Sequence, residues 1–210
     1  YFAEDFISVI HDAGFSPSFY RASELYLSGR MNGAIRTALE NGEKIRKIYH
    51  EESGSVRGAD WLPFNALCEK CGKISTTRAR SFDGEQVAYT CEPDAVSWAE
   101  GCGHEGSVSP FDGNGKLPWK VEWAAKFMVL GVSIEGAGKD HYTRGGSRHI
   151  ANRISREVFA YPSPYDIQNE FFLVGGKKMS SSKGAGSSAR EIADLLPAHI
   201  FRLALLGKEI

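Results

Sequence analysis

The sequence predicts an α/β fold, with helices layered around a parallel sheet and one small inserted module. Three observations carry this. After Pro118 the chain reads helix, strand, glycine-rich loop, helix, strand, loop, helix, an alternation that suits a sheet covered by helices. Between about Asn65 and Ser109 that pattern breaks: all four cysteines fall there, among turn residues and few apolar runs. The 210 residues, 42% hydrophobic and 24% charged, suffice for one large domain with a sizeable insertion.

Residues 1–13 read as an amphipathic helix, because Phe2, Phe6, Val9, Ile10 and Ala13 recur at helical spacing and Gly14 can stop it. A second helical stretch runs from Met31 to His50, with Ile35, Ala38, Leu39, Ile45 and Ile48 on one side and a break expected at Asn41-Gly42. Its other side carries Lys44, Arg46 and Lys47, which suit either a solvated face or an RNA-facing patch. Beyond the insertion, Trp123 to Leu130 reads as helix and Val132 to Glu135 as a buried strand. A glycine-rich loop then runs through Gly146, followed by a helix from Arg148 to Phe159 and a second strand from Phe171 to Val174. Residues 175–188 form a Gly/Ser/Lys loop, and helices at Ala189–Leu195 and Ala198–Leu206 follow it.

The insertion is too small to bury much core alone, so a metal is a natural staple. Cys68 and Cys71 make a C-x-x-C with Gly72 permitting the bend, and Cys91 follows at zinc-ribbon distance. Cys102 comes ten residues after Cys91 instead of two, so Glu92 to Gly101 must loop out. Four-cysteine zinc is the leading reading. His104 is an alternative fourth ligand, and four unrelated thiols remain open. A closed site of this kind is structural, not catalytic.

Three further segments carry chemistry. Lys178-Met179-Ser180-Ser181-Ser182-Lys183-Gly184 joins two lysines to small residues. Such a loop can neutralise polyphosphate charge and close over a nucleotide, or serve as a solvated linker. In Gly138-Lys139-Asp140-His141, followed by Gly145-Gly146-Ser147, small residues admit a ligand near the backbone. Asp140 can accept from a ribose hydroxyl or an ammonium, and His141 can meet a phosphate or a ring, although a turn cap beside a surface histidine fits equally. In Lys116-Leu117-Pro118-Trp119-Lys120-Val121-Glu122-Trp123, Glu122 can pair with an ammonium and Trp123 can wall its aliphatic stem, or both tryptophans are core.

Together these segments resemble class I lysyl-tRNA synthetases of the archaeal type. The loop is similar to the KMSKS signature in its KMSSSKG form, with Ser181 where the second lysine usually stands. The other two are similar to the family's G-K-D-H…G-G-S and K-L-P-W-R-V-D-W, with Ala124 in place of a common proline after the second Trp. Outside these segments, Asn169 stands before Glu170 where the resemblance implies an aromatic residue near the amino-acid pocket. The resemblance implies a Rossmann-like catalytic domain with a zinc-ribbon insertion. It divides the chain into a helical part of the catalytic region (1–64), the ribbon (65–110), a Rossmann-like half with the KMSKS-type loop (111–188), and the start of a helical connection to an anticodon-binding domain (189–210). It implies ATP-dependent activation of L-lysine to lysyl-adenylate, then transfer to tRNA(Lys), in the cytoplasm. Lys178, Lys183, Ser180 and Ser182 would be the catalytic loop residues, and Gly138, Asp140, His141, Gly145, Gly146 and Met179 would bind ATP. Trp119, Glu122 and Trp123 would bind lysine, Mg2+ would accompany ATP, and Cys68, Cys71, Cys91 and Cys102 would hold Zn2+.

The remaining expectations concern partners and extent. No apolar run is long enough for a membrane helix, and Tyr1 to Phe6 lack the pattern of a signal peptide. A net charge of -1 argues against a strongly basic nucleic-acid arm, and no DNA partner is expected. The chain starts without Met and lacks a H-I-G-H type motif, so a fragment of a longer enzyme, inactive alone, is expected. Rival readings are a class I synthetase for glutamate and a non-catalytic tRNA-binding module.

Overall fold

A computed structural model describes residues 2–171, 173–174, 176–179 and 186–206, with Val174 and residues 204–206 described for their backbone only. The chain forms two compact units, Tyr20–Ile167 and Tyr1–Phe19 with Gln168–Ile210.

The larger unit opens with helices α2 (Ala22–Leu27), α3 (Asn32–Glu40) and α4 (Gly42–Ser53). Only Asn41 separates α3 from α4, which is the break expected at Asn41-Gly42. Their buried faces, including Ile35, Ala38, Ile45 and Ile48, pack with Val121, Ala124 and Phe127 of α5 (Trp119–Leu130) and Ile150 and Ile154 of α6 (Ser147–Glu157) in one core. α5 begins at Trp119, four residues before the expected Trp123, because Pro118 supplies the N-cap with its fixed φ of -59°. Arg153 of α6 binds Glu51 and Glu52 of α4 as well as Glu157, and so ties the two helices together.

The insertion leaves and rejoins this body through an antiparallel pair, β1 (Asn65–Ala66) with β5 (Gly115–Lys116). Between them β2 (Thr77–Phe82), β3 (Val87–Cys91) and β4 (Glu105–Val108) form an antiparallel sheet in that order. Ala79, Val87, Tyr89 and Cys91 on its inner side belong to the same buried cluster as the helices. The insertion therefore borrows its core from the helical body.

After α5, β6 (Ile134–Gly138) pairs with β7 (Tyr165–Asn169), and a short 3-10 turn at Lys139–Tyr142 leads to α6. The expected strand at Phe171 to Val174 is not the partner of β6. Leu173–Val174 instead forms β8, which pairs antiparallel with β9 (Lys177–Lys178) in the smaller unit. The sequence Tyr-Asp-Ile-Gln-Asn of β7 lacks an apolar run, so its strand signal is weak. Nor is β6 a buried strand: Ile134 is 59% exposed, and among the described residues β6 has one strand neighbour.

The smaller unit contains α1 (Phe2–Asp12), α7 (Ala189–Leu195) and α8 (Ala198–Leu206). Gly14 ends the first helical segment in the left-handed region, at φ +83°. α7 starts at a capping box, with the Ser188 hydroxyl accepting from the Glu191 N–H and the Glu191 carboxylate accepting from the Ser188 N–H. Arg190 reaches back to Asp12 and Ser8, fastening α7 to α1. Among the described residues no helix is long and apolar enough to cross a membrane.

Candidate active site and metal centre

Helical spacing sorts the side chains of α5. Residues four apart share a face, so Trp119 and Trp123 stack, with ring centroids 5.6 Å apart and planes 16° from parallel. His141, from the 3-10 turn after β6, meets both edge-on at 5.7 and 5.6 Å. The Trp123 indole N–H donates to the Glu135 carboxylate of β6 at 2.8 Å. Behind this group lies the wholly buried Arg148, its guanidinium 5.4 Å from the Trp123 ring centre and 4.5 Å from that of Phe127. Its Nε donates to Asp166 of β7 at 2.7 Å, and Asn152 donates to the same carboxylate at 3.2 Å. A buried cation needs such a partner, and the aromatic faces add attraction. Burial pushes the Tyr142 hydroxyl above its ordinary pKa, and the nearby Asp166 and Glu135 carboxylates add to that.

Glu122 faces elsewhere. Only 4% exposed, it is gripped by Lys116 at 2.9 Å and by Lys126, one helical turn on, at 2.7 Å. The carboxylate expected to meet a substrate ammonium thus already has two cations, and Glu135 is the carboxylate beside the indoles. Sequence reading missed Glu135, Arg148 and Asp166. The i,i+4 spacing of Trp119, Trp123 and Phe127 was the available signal that Glu122 points away from them.

The glycines of the G-K-D-H segment are set by close contacts. A Cβ on Gly145, at φ +73°, would lie 2.6 Å from the Glu52 carbonyl at the end of α4. One on Gly146, which caps α6, would lie 2.6 Å from the His141 and Thr143 carbonyls. At Gly138 a Cβ would meet the Asp140 carboxylate at 2.8 Å. These glycines fold the turn tightly beneath His141. In the smaller unit, Lys178 lies with its ammonium 3.5 Å from the Phe171 ring centre, and Met179 packs where a Cβ on Gly186 would fall. Ser180, Ser182 and Lys183 lie outside the described residues.

The four cysteine sulfurs come together. Their Sγ atoms all lie within 4.8 Å of one another, with Cys68 to Cys102 at 3.6 Å and Cys71 to Cys91 at 3.8 Å. Tetrahedral zinc with bonds of about 2.3 Å requires sulfurs roughly 3.8 Å apart, so the donor set fits that ion. Two turns build it. Gly72, at φ +68°, donates its N–H to the Cys68 carbonyl, and Gly103, at φ +70°, donates to that of Cys91. Gly101 closes the intervening loop, for a Cβ there would sit 2.1 Å from the Glu92 carbonyl. The ten-residue excursion is thereby pinched off at its base, and Cys102 stands beside Cys91 as a near neighbour in sequence would. His104 is outside the sulfur group, its ring against Tyr89 at 6.1 Å. Burial pushes the Cys68 thiol up, but the N–H groups of Cys71 and Lys70 and the adjacent thiols bring it down to about 6. At Cys71 the Lys73 N–H pulls down, yet burial and the other three sulfurs push the thiol up to about 11. Sulfurs this close resist carrying several negative charges without a cation among them. The cluster can hold a metal ion.

Residues 1–210 of this chain match the model of the family tRNA synthetases class I (K). The chain belongs to that family. Among curated proteins, this class I (K) chain is 40% identical over 209 residues to a lysine–tRNA ligase of Methanosarcina barkeri (strain Fusaro / DSM 804), covering 98% of this chain and 37% of that protein. It is 37% identical over 203 residues to the lysine–tRNA ligase of Thermoplasma acidophilum, covering 96% and 38%. To that of Archaeoglobus fulgidus it is 36% identical over 203 residues, covering 96% and 39%. The chain thus spans somewhat over a third of the length of the curated relatives it matches.

Proposed function

We propose that this chain is part of a lysine–tRNA ligase acting in translation in the cytoplasm. The observation that carries the reading is the run of similarity to lysine–tRNA ligases over 98% of the chain. The stacked indoles of Trp119 and Trp123 beside the Glu135 carboxylate add a place suited to an aliphatic stem ending in an ammonium. In this reading the carboxylate of L-lysine attacks the α-phosphate of ATP. Lysyl-adenylate forms, pyrophosphate leaves, and the lysyl group passes to the terminal adenosine of tRNA(Lys).

The residues have separate tasks. Trp119 and Trp123 wall the lysine stem, Glu135 meets its ammonium, and Glu122 anchors α5 through its two lysines. Gly138, Asp140, His141, Gly145, Gly146 and Met179 hold ATP, with Mg2+ screening its phosphates. Lys178 and Lys183 stabilise the departing pyrophosphate, and Ser180 and Ser182 give the loop between them its small, donor-rich backbone. The reaction needs positioning and charge stabilisation, with no covalent enzyme intermediate. Cys68, Cys71, Cys91 and Cys102 hold Zn2+ as a structural ion in a ribbon spanning residues 65–110. Residues 1–64 and 111–188 belong to the catalytic region, and 189–210 lead toward an anticodon-binding domain.

The test is amino-acid-dependent ATP–pyrophosphate exchange by the protein at its full encoded length. Lysine would be offered beside glutamate, cysteine and arginine. Exchange with lysine alone is expected. Exchange with glutamate would move the specificity, and exchange with none of the four would overturn the reading.

A further inference from the structure

Most cations of the larger unit that come together are matched by acids. Arg153 has Glu51, Glu52 and Glu157; Arg78 and Arg80 share Glu92; Lys116 and Lys126 share Glu122. One group is not. Tyr49, buried on α4, meets Trp61 edge-on with ring centroids 5.9 Å apart. The Arg57 guanidinium lies over both rings, at 5.2 and 5.4 Å. The Lys120 ammonium lies over the Tyr49 ring at 5.6 Å. Arg46 joins them by donating to the Trp61 carbonyl at 2.8 Å. Among the described residues, none of these three cations has a carboxylate within ion-pair distance. Lys47 pairs with Glu51 and Lys44 donates to the Glu157 carbonyl, so neither belongs to the group.

The Tyr49 ring thus has two cations near its centre, at 5.2 and 5.6 Å, and their charges oppose each other. Burial and the neighbouring Arg57 both push the Lys120 ammonium below its ordinary pKa. An anion between Arg57 and Lys120 would relieve that repulsion. Lys120 also lies in the first turn of α5, whose N-cap, Pro118, provides no side-chain acceptor. The N–H groups of this turn add positive potential at the start of α5.

We propose that Arg57 and Lys120, with Arg46 beside them, form a phosphate-binding site for the backbone of an RNA. The inference rests on the reading above in one respect: the lysine-bearing loop at Lys178 is the place assigned to the ATP polyphosphate, which leaves this cluster for the other polyanionic substrate. Its position favours the acceptor end, because Lys120 is adjacent in sequence to Trp119, whose indole belongs to the proposed lysine wall.

The test uses the full-length protein, a variant with Arg57→Ala and Lys120→Ala, and a charge-keeping variant with Arg57→Lys and Lys120→Arg. Labelled tRNA transcript is titrated across a salt series by fluorescence anisotropy, and KM for ATP is measured by pyrophosphate exchange. Removing both charges is expected to raise Kd for RNA about tenfold at low salt and to flatten the slope of log K against log salt by about two units. KM for ATP should stay as it was, and the charge-keeping variant should retain the slope. An unchanged slope in the alanine variant overturns the proposal. So does a rise in KM for ATP with RNA affinity intact, which would assign the cluster to the nucleotide. If the unaltered protein shows no exchange with lysine but the alanine variant loses RNA affinity as described, the RNA site stands and the ligase reading falls.

Discussion

Two carboxylates near α5, Glu122 and Glu135, have opposite surroundings. Glu122 is buried between two ammoniums, whereas Glu135 accepts one indole N–H and has no cationic partner among the described residues. Their expected behaviour differs accordingly. Glu135→Gln keeps an oxygen to accept from Trp123 but removes the charge proposed to meet the lysine ammonium. Charge-assisted hydrogen bonds contribute about 1.5–3 kcal/mol, so KM for lysine should rise on the order of 10- to 100-fold while KM for ATP holds. Pyrophosphate exchange at varied lysine measures this, and an unmoved KM for lysine would reduce Glu135 to an anchor for the indole. The Lys126 partner of Glu122 follows from i,i+4 spacing, but the sequence reading starts the helix at Trp123 and so leaves Glu122 outside it. The partner of Glu135 was not legible in the sequence, since a strand and a helix meet there through the fold alone. Arg148 was equally hidden: an arginine beside an apolar helix face reads as solvated until Asp166 is placed next to it.

At the scale of elements, the cysteine module depends on two glycine-bearing turns and a pinched loop. The C-x-x-C at Cys68 was readable because both ligands come from one turn. The partnership of Cys91 with Cys102 was readable only as an anomaly, and its explanation, the contact of Gly101 with the Glu92 carbonyl, is three-dimensional. The same holds for the strands. β7 escaped notice because its inward group is Asp166, a charged residue made burial-tolerant by Arg148. Cys91→Ser removes a buried ligand from the proposed zinc centre and should abolish stoichiometric zinc, read by elemental analysis. Because the inner face of β2–β3–β4 shares its core with the helices, destabilisation should exceed about 4 kcal/mol and appear as one cooperative transition. A separate early melting of the strands, with helices intact, would contradict that shared core.

Over the whole molecule, the alkaline limit of stability follows from two buried phenols. Burial raises the Tyr26 hydroxyl, with the charge of Glu122 adding to it and the Leu117 N–H opposing. Burial likewise pushes Tyr49 up to about 12, against a downward pull from Arg57. Both groups are neutral in the folded chain at pH values where an unfolded tyrosine, with a pKa of about 10, already ionises. Their contribution is therefore fully present below about pH 10 and is lost as pH rises from there through about 12. Thermal melts across that range, followed with tyrosinate absorbance, should show the decline, and Tyr49→Phe should make it shallower. The inserted module also bears on what can be taken apart. Lys116 lies in the strand by which the chain returns from the module, yet its ammonium neutralises a carboxylate inside the helix that presents the indoles. Splicing Phe64 directly to Leu117 would leave Glu122 sealed in the interior with Lys126 as its sole remaining cation. The cysteine module is thus no detachable accessory, and a shortened relative that dispenses with it must also replace the acid at position 122.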